Sequence, residues 1–289
     1  MKPKVLMSDA SNFSVHQAIN PYYKDGSLDQ AQAIAEHDKI VKLYKSIGVE
    51  VVDVQSPAES QDGVYTANWA LVRYKKAVMA RLPGVRKAEE EVAEHYLQAL
   101  GYETIKVPDE WLFSGQGDAL PCGDLLFCGK SYRSDERAQQ FAAETLGFER
   151  VQLETIPEFD VNGVPALNAV TNLPDSFFYD IDLAVAIVRQ PTVSDEAIVA
   201  YCPEALTPES QAKMRGLMGI DLIEVSLDEA VDGFACNLFS TGKDVIMSAH
   251  APQLKAEIQK RGLHVHMPEI TELIKGGGFI RCVSLSLVY

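Results

Sequence analysis

Long apolar runs are missing from this sequence: none of its 289 residues lies in a stretch approaching the ~18 apolar residues of a membrane span. The opening residues, MKPKVLMSDASNFS, also lack the ~7–15-residue apolar segment of a secretory signal. Paired cysteine motifs are absent as well. The five cysteines, Cys122, Cys128, Cys202, Cys236 and Cys282, are scattered and odd in number. With no CxxC pair and no His/Cys cluster, both zinc ligation and a disulfide framework are disfavoured. These absences predict a cytoplasmic protein with reduced thiols, no membrane partner, no metal and no cofactor. Basic residues are also short. The 26 Lys and Arg face 41 Asp and Glu, a net charge of −15, which argues against nucleic acid as a partner. A small cation would be attracted to such a surface.

What is present is a repeat. Apolar residues make up 47% of the chain, enough for a substantial core. No Pro/Gly/Ser-rich or charged linker interrupts it, so residues 1–289 are expected to form one domain. Five times a helix-like stretch runs into a glycine and then a short apolar strand: LYKSIGVEVVDV, YLQALGYETIKV, AAETLGFERVQL, RGLMGIDLIEV and IQKRGLHVHM. The glycines Gly48, Gly101, Gly147, Gly219 and Gly262 are placed as left-handed helix caps. Ser27 is the expected cap of the first helix, Ser134 or Asp135 of the third and Thr207 of the fourth. NWALVRYKKAVMA, DALPCGDLLFCG and NLFSTGKDVIMSA read as hairpins. The last copy breaks off at Tyr289 after one strand, and residues 4–8 are expected to complete its hairpin. A ring of ~50-residue units follows from this spacing: an α/β propeller of five-fold pseudosymmetry, closed by the terminal strands.

Each copy carries one conspicuous polar residue ahead of its hairpin: Asn68, Asp118, Asp182, Asn237 and Cys282. A ring brings equivalent loops together, so these five are expected to face one another. Cys282 follows Gly276-Gly277-Gly278, where backbone can approach a ligand. Its cationic neighbours Lys275 and Arg281 are expected to lower its thiol pKa. A lone cysteine is otherwise an ordinary core residue, and a lone loop aspartate an ordinary turn residue. Two aspartates converging on a cysteine suit something narrower. Paired carboxylates accept forked hydrogen bonds from a guanidinium or amidinium and would hold its central carbon for thiolate attack.

Those residues carry a resemblance. INPYY, DGVYTANWALV, FSGQGDAL, GKSYRSDERA, FYDIDL, ACN and GGGFIRC together resemble the guanidino-group-modifying superfamily, the penteins. Its members include arginine deiminase, dimethylarginine dimethylaminohydrolase and the amidinotransferases, and the likeness is to the short bacterial branch. The resemblance implies a cysteine-dependent hydrolase of the guanidino or ureido group of arginine or a derivative. Cys282 would form a thiouronium that water then releases. Asp118 matches the guanidinium-binding aspartate of the Gly-Gly-Asp motif, and Asp182 the second carboxylate of the His-x-Asp motif. Asn20, Asn68 and Arg86 match positions that hold the amino-acid end, Arg86 as a fork for a carboxylate. Arg133 aligns with an Arg-Thr element and either does the same or braces its loop. The resemblance implies a homodimer or a larger assembly, since family members are commonly one or the other, and leaves the oligomeric state open.

One position departs from the pattern. Asp180-Ile181-Asp182 puts an aspartate where the family has its acid/base histidine. An ordinary aspartate near pKa ~4 is a usable base but a poor acid for an amine. Burial beside Asp182 would raise its pKa. His37 and His95 read as helix-surface residues, and none of the six histidines stands in as a replacement. Three readings follow: a hydrolase with Asp180 as its acid/base, a silenced pocket acting as a binding or sensor protein, and an amidinotransferase.

Overall fold

A computed structural model describes residues 2–23, 27–130 and 132–288; Tyr289 lies outside them. Each repeat becomes a hairpin, a helix and a strand parallel to the hairpin's second strand. The chain opens with β1 (Lys4–Ser8), α1 (Gln30–Ser46) and β2 (Glu50–Val54). Next come β3 (Ala70–Arg73), β4 (Lys76–Met79), α2 (Ala88–Ala99) and β5 (Glu103–Lys106). A third unit holds β6 (Ala119–Cys122), β7 (Leu125–Gly129), α3 (Glu136–Leu146) and β8 (Glu149–Leu153). The fourth holds β9 (Val185–Arg189), β10 (Ala197–Tyr201), α4 (Pro208–Arg215) and β11 (Ile220–Glu224). After the short α5 (Leu227–Val231) come β12 (Phe239–Ser240), β13 (Asp244–Ile246), α6 (Pro252–Lys260), β14 (His264–His266) and finally β15 (Leu285–Ser286).

Five three-stranded sheets result, in the orders β15-β1-β2, β3-β4-β5, β6-β7-β8, β11-β10-β9 and β12-β13-β14. Residues 4–8 do complete the last hairpin, with Val5 opposite Ser286 and Leu6 opposite Leu285 in antiparallel register. The five repeat glycines all have φ between +72° and +86°, the conformation that ends a helix and turns the chain into its parallel strand. α2 shows why the helices seat where they do. Ala93 and Leu97, one turn apart on one face, are fully buried in a cluster with Val72 and Met79 of the neighbouring strands and with Trp69 just ahead of β3. Burying a leucine of this kind contributes about 1.5–3 kcal/mol.

Two local expectations are corrected. Asp29, not Ser27, caps α1, its carboxylate accepting the Gln32 N–H at 3.0 Å, because the helix begins at Gln30 and only Asp29 lies within reach of its orphan donors. His37 is buried, with 5% exposure, because it faces inward on α1, and burial holds its imidazole below the ordinary value. Thr207 caps α4 as expected, accepting from the Ser210 N–H at 3.4 Å. Asp135 holds the cap position of α3, but its carboxylate accepts from the Leu112 N–H at 2.8 Å instead.

Candidate active site

The five repeat residues sit in equivalent places, each at the lead-in to the first strand of its hairpin. Asn68 lies in the 3-10 turn Thr66–Trp69 ahead of β3, Asp118 follows the turn Gly115–Gly117, and Asp182 lies in the turn Ile181–Leu183. Asn237 precedes β12, and Cys282 precedes β15. None of the five is more than 3% exposed.

Their side chains meet. The Cys282 Sγ lies 3.5 Å from Asp182 Oδ2, and Asn237 Nδ2 donates to the sulfur at 3.1 Å. Asp118 Oδ1 accepts the Ile181 N–H at 3.1 Å, which ties the second repeat residue to the third. Asn68 Nδ2 donates to Asp180 Oδ2 at 2.7 Å and to Ser114 Oγ at 2.9 Å. Gly117 is required for this approach: a Cβ there would collide with the Asn68 amide nitrogen and the Asp180 carboxylate. Among the described residues, Asp180 Oδ1 and Asp182 Oδ1 are buried with no hydrogen-bond partner.

Three carboxylates buried together cannot all ionise cheaply. Burial, then the Asp180 charge, pushes Asp118 well above its usual range. The same two causes push Asp182 up to about 8. Burial raises Asp180 too, against opposing pulls led by Arg133. The expected low thiol pKa is overturned. Burial, Asp182 and Asp180 hold the Cys282 thiol well above its ordinary value. Its supposed helpers are engaged elsewhere: Lys275 Nζ pairs with Glu272 at 2.7 Å, and Arg281 donates to Gln116 at 2.9 Å and to the Ser284 carbonyl at 2.7 Å.

The remaining expected residues form a surrounding shell. Arg86, expected as a fork for a substrate carboxylate, has that fork filled by Glu89, with Nε to Oε1 at 2.8 Å and Nη2 to Oε2 at 2.7 Å. Its Nη1 donates to Asn68 Oδ1 at 2.9 Å. Arg86 therefore orients Asn68, and as the chain stands its fork is spent. Asn20 Nδ2 donates to the Gly276 carbonyl at 3.1 Å, while its Oδ1 accepts the Tyr22 N–H at 3.0 Å. Arg133 lies over the Tyr179 ring at 4.2 Å and donates to the Ile19 carbonyl at 2.7 Å, bracing the loop that carries Asn20.

Sequence reasoning missed Glu89 and Gln139. Glu89 looks like one of three exposed acids in AEEEV, and only its complete burial shows its task. Gln139, also fully buried, spans the Gly129 carbonyl at 2.5 Å and Asp118 Oδ2 at 3.3 Å, and looks like an ordinary helix residue. Asn237 meets the cluster as its repeat position predicts, donating to the Cys282 sulfur, although the family resemblance assigns it no role.

This α/β frame is shared by solved structures of an arginine dihydrolase and a dimethylarginine dimethylaminohydrolase. The product-bound N-terminal domain of ArgZ, a cyanobacterial arginine dihydrolase, superposes with a TM-score of 0.85 at 25% identity, covering 99% of this chain and 98% of that one. The dimethylarginine dimethylaminohydrolase of Pseudomonas aeruginosa, bound to citrulline, shares the fold with a TM-score of 0.75 at 18% identity, covering 99% of each chain. The sequence places the chain more narrowly: residues 2–168 match the family described as N,N dimethylarginine dimethylhydrolase, eukaryotic, and the chain belongs to it. Among relatives, the N(G),N(G)-dimethylarginine dimethylaminohydrolase of Mycobacterium tuberculosis is 27% identical over 98% of this chain and 85% of its own length. The bifunctional arginine dihydrolase/ornithine cyclodeaminase ArgZ of Synechocystis is 26% identical over 98% of this chain but only 37% of that protein. No helix among the described residues is long and apolar enough to cross a membrane.

Proposed function

We propose that this chain hydrolyses a C–N bond in the guanidino group of arginine or an arginine derivative, through a covalent intermediate on Cys282. The observation that carries the reading is a cysteine sulfur 3.5 Å from Asp182 within a buried cluster of three carboxylates, in a chain of this family. A buried cluster of carboxylates suits a cation, and a guanidinium is a planar cation with forked N–H donors. Asp118 and Asp182 would grip it, Asp182 through the Oδ1 that has no partner within the described residues.

The cation also changes the thiol. At rest Cys282 is protonated, because burial and negative neighbours oppose a thiolate. A bound guanidinium brings a positive charge beside the sulfur and favours ionisation. The S–H proton passes to the adjacent carboxylate, and the sulfur attacks the guanidinium carbon. Asp180, whose neutral form is favoured by burial, gives a proton to the departing amine. That leaves a thiouronium on Cys282 and a carboxylate at Asp180. The carboxylate then takes a proton from water, whose oxygen displaces the sulfur. The adjacent carboxylate returns its proton to the departing sulfur, and the extra proton on the ureido product passes to the released amine, so the products are an ammonium ion and a ureido compound and the thiol is restored. Asn68, held by Arg86, fixes the orientation of Asp180 throughout. We further propose that residues 1–289 form one domain whose five sheets close into a ring around this cluster.

The test is release of ammonia, methylamine and ureido product from arginine, dimethylarginine, agmatine and citrulline, with Cys282→Ala as control. Turnover by the wild type with none by the variant is expected. Equal rates would sink the proposal. The protonated, sealed thiol favours one other reading, a binding protein with a silenced pocket. In that case arginine stabilises the fold and no product forms.

A further inference from the structure

We propose that Asn237 is a catalytic residue, its carboxamide donating directly to the Cys282 sulfur and stabilising the thiolate in the step that attacks the guanidinium. The proposal rests on the reading of Cys282 as the nucleophile and adds a residue to it. Four contacts define the arrangement. Asn237 Oδ1 accepts three backbone N–H groups of the segment carrying the cysteine, from Phe279 at 3.1 Å, Arg281 at 3.1 Å and Cys282 itself at 3.2 Å. Nδ2 then donates to Cys282 Sγ at 3.1 Å.

The carboxamide cannot be turned round. A flip would set the NH2 group against three N–H donors and lose all three backbone bonds. The side chain is fully buried, and its backbone is held on both sides, the Asn237 N–H donating to the Phe234 carbonyl at 3.0 Å and the Arg281 N–H to the Asn237 carbonyl at 3.3 Å. Phe234 adopts the left-handed region, φ 48°, a conformation that a bulky residue keeps only where its surroundings insist. The amide is thus aimed before any substrate arrives.

The electrostatic setting gives this one contact its importance. Asp180 and Asp182 oppose a thiolate, and Lys275 and Arg281 are committed elsewhere. Among the described residues, Asn237 is the one side-chain donor to the sulfur. A neutral N–H donor suits this place. A lysine or arginine there would pair with Asp182 and repel the incoming cation, whereas an amide supports the thiolate without competing for the guanidinium's charge.

The test measures the pH dependence of Cys282 alkylation by iodoacetamide in the full chain, with and without arginine, for wild type, Asn237→Asp and Asn68→Asp. Asn237→Asp keeps the oxygen that accepts the three backbone N–H groups and replaces the donor to sulfur with a second oxygen. Asn68→Asp adds a like charge to the same cluster without touching the sulfur, and so serves as the reference for charge added at a distance. The alkylation midpoint of Asn237→Asp is expected to rise about one to two pH units beyond that of Asn68→Asp, the worth of one hydrogen bond to a charged group. On any substrate that turns over, kcat should fall about 10- to 100-fold with KM little changed. Equal midpoints in the two variants would overturn the proposal. If Asn237→Asp does not fold, the wild-type side-chain amide resonance of Asn237 decides. It should titrate with the midpoint of Cys282 alkylation, and an amide indifferent to that ionisation overturns the proposal. A wild type that alkylates but releases no product removes the hydrolase reading, and the midpoints still judge Asn237.

Discussion

Replacing Asp180 with asparagine should make the ligand-free protein more stable as the solution turns alkaline. The three buried aspartates all have folded-state pKa values raised above those of an unfolded chain, Asp182 to about 8. The folded state therefore holds protons that the unfolded state has already lost above about pH 4, and stability falls as pH rises through the window up to about 8. Each proton so held costs about 1.4 kcal/mol per pH unit, hence about 3 kcal/mol between about pH 6 and pH 8. For a chain of this size that is roughly 5–10 °C in Tm. The Asp180 charge is the leading charge acting on both Asp118 and Asp182, so Asp180→Asn lowers both and releases part of the held protons. Asparagine keeps an oxygen to accept from Asn68. Thermal unfolding of both proteins at the two pH values gives the result. Wild type should lose at least twice as many degrees as the variant. His37 contributes with the opposite sign below about pH 6.5, where its unfolded state is the more protonated, but it does so equally in both proteins and cancels. Identical losses in the two proteins would show that the aspartates are not coupled as described.

Two further substitutions probe the surrounding shell. Asp180→His should raise turnover of the preferred substrate or move its pH optimum upward, measured by product release across pH; an unchanged rate and profile would remove Asp180 from the acid/base position. Glu89→Gln leaves the Arg86 guanidinium buried without its partner and should destabilise the protein by about 3–5 kcal/mol, read by denaturant unfolding. Arginine should partly restore wild-type stability if Asn68 still reaches the cluster, and a loss below about 1 kcal/mol would mean that the pair is relaxed by water.

The repeat made most of the frame legible. Glycine after a helix and an apolar alternation after a polar loop are local signals, and the five sheets follow them closely. The convergence of Asn68, Asp118, Asp182, Asn237 and Cys282 was also readable, because equivalent positions in a repeat occupy equivalent places. Charge was not. Lys275 and Arg281 are neighbours of the cysteine in sequence, yet Lys275 turns to Glu272, three residues earlier, and Arg281 reaches Gln116 across the fold; spacing does not say which contact each one makes. Arg86 failed as a substrate fork for the same reason: Glu89, three residues on, sits on the buried side of α2, and the run AEEEV gives no sign of which glutamate turns inward. Sequence showed which groups meet, while their protonation depended on burial that only the folded chain displays.

The pairing of β1 with β15 has a consequence for the site. β1 is the middle strand of its sheet, with β2 on one side and residues 285–286 on the other, and Cys282 lies three residues before that outer strand. A slip of this one antiparallel pair by a residue would draw Cys282 away from Asp182 and Asn237, so the strand pairing acts as the clasp that sets the position of the thiol.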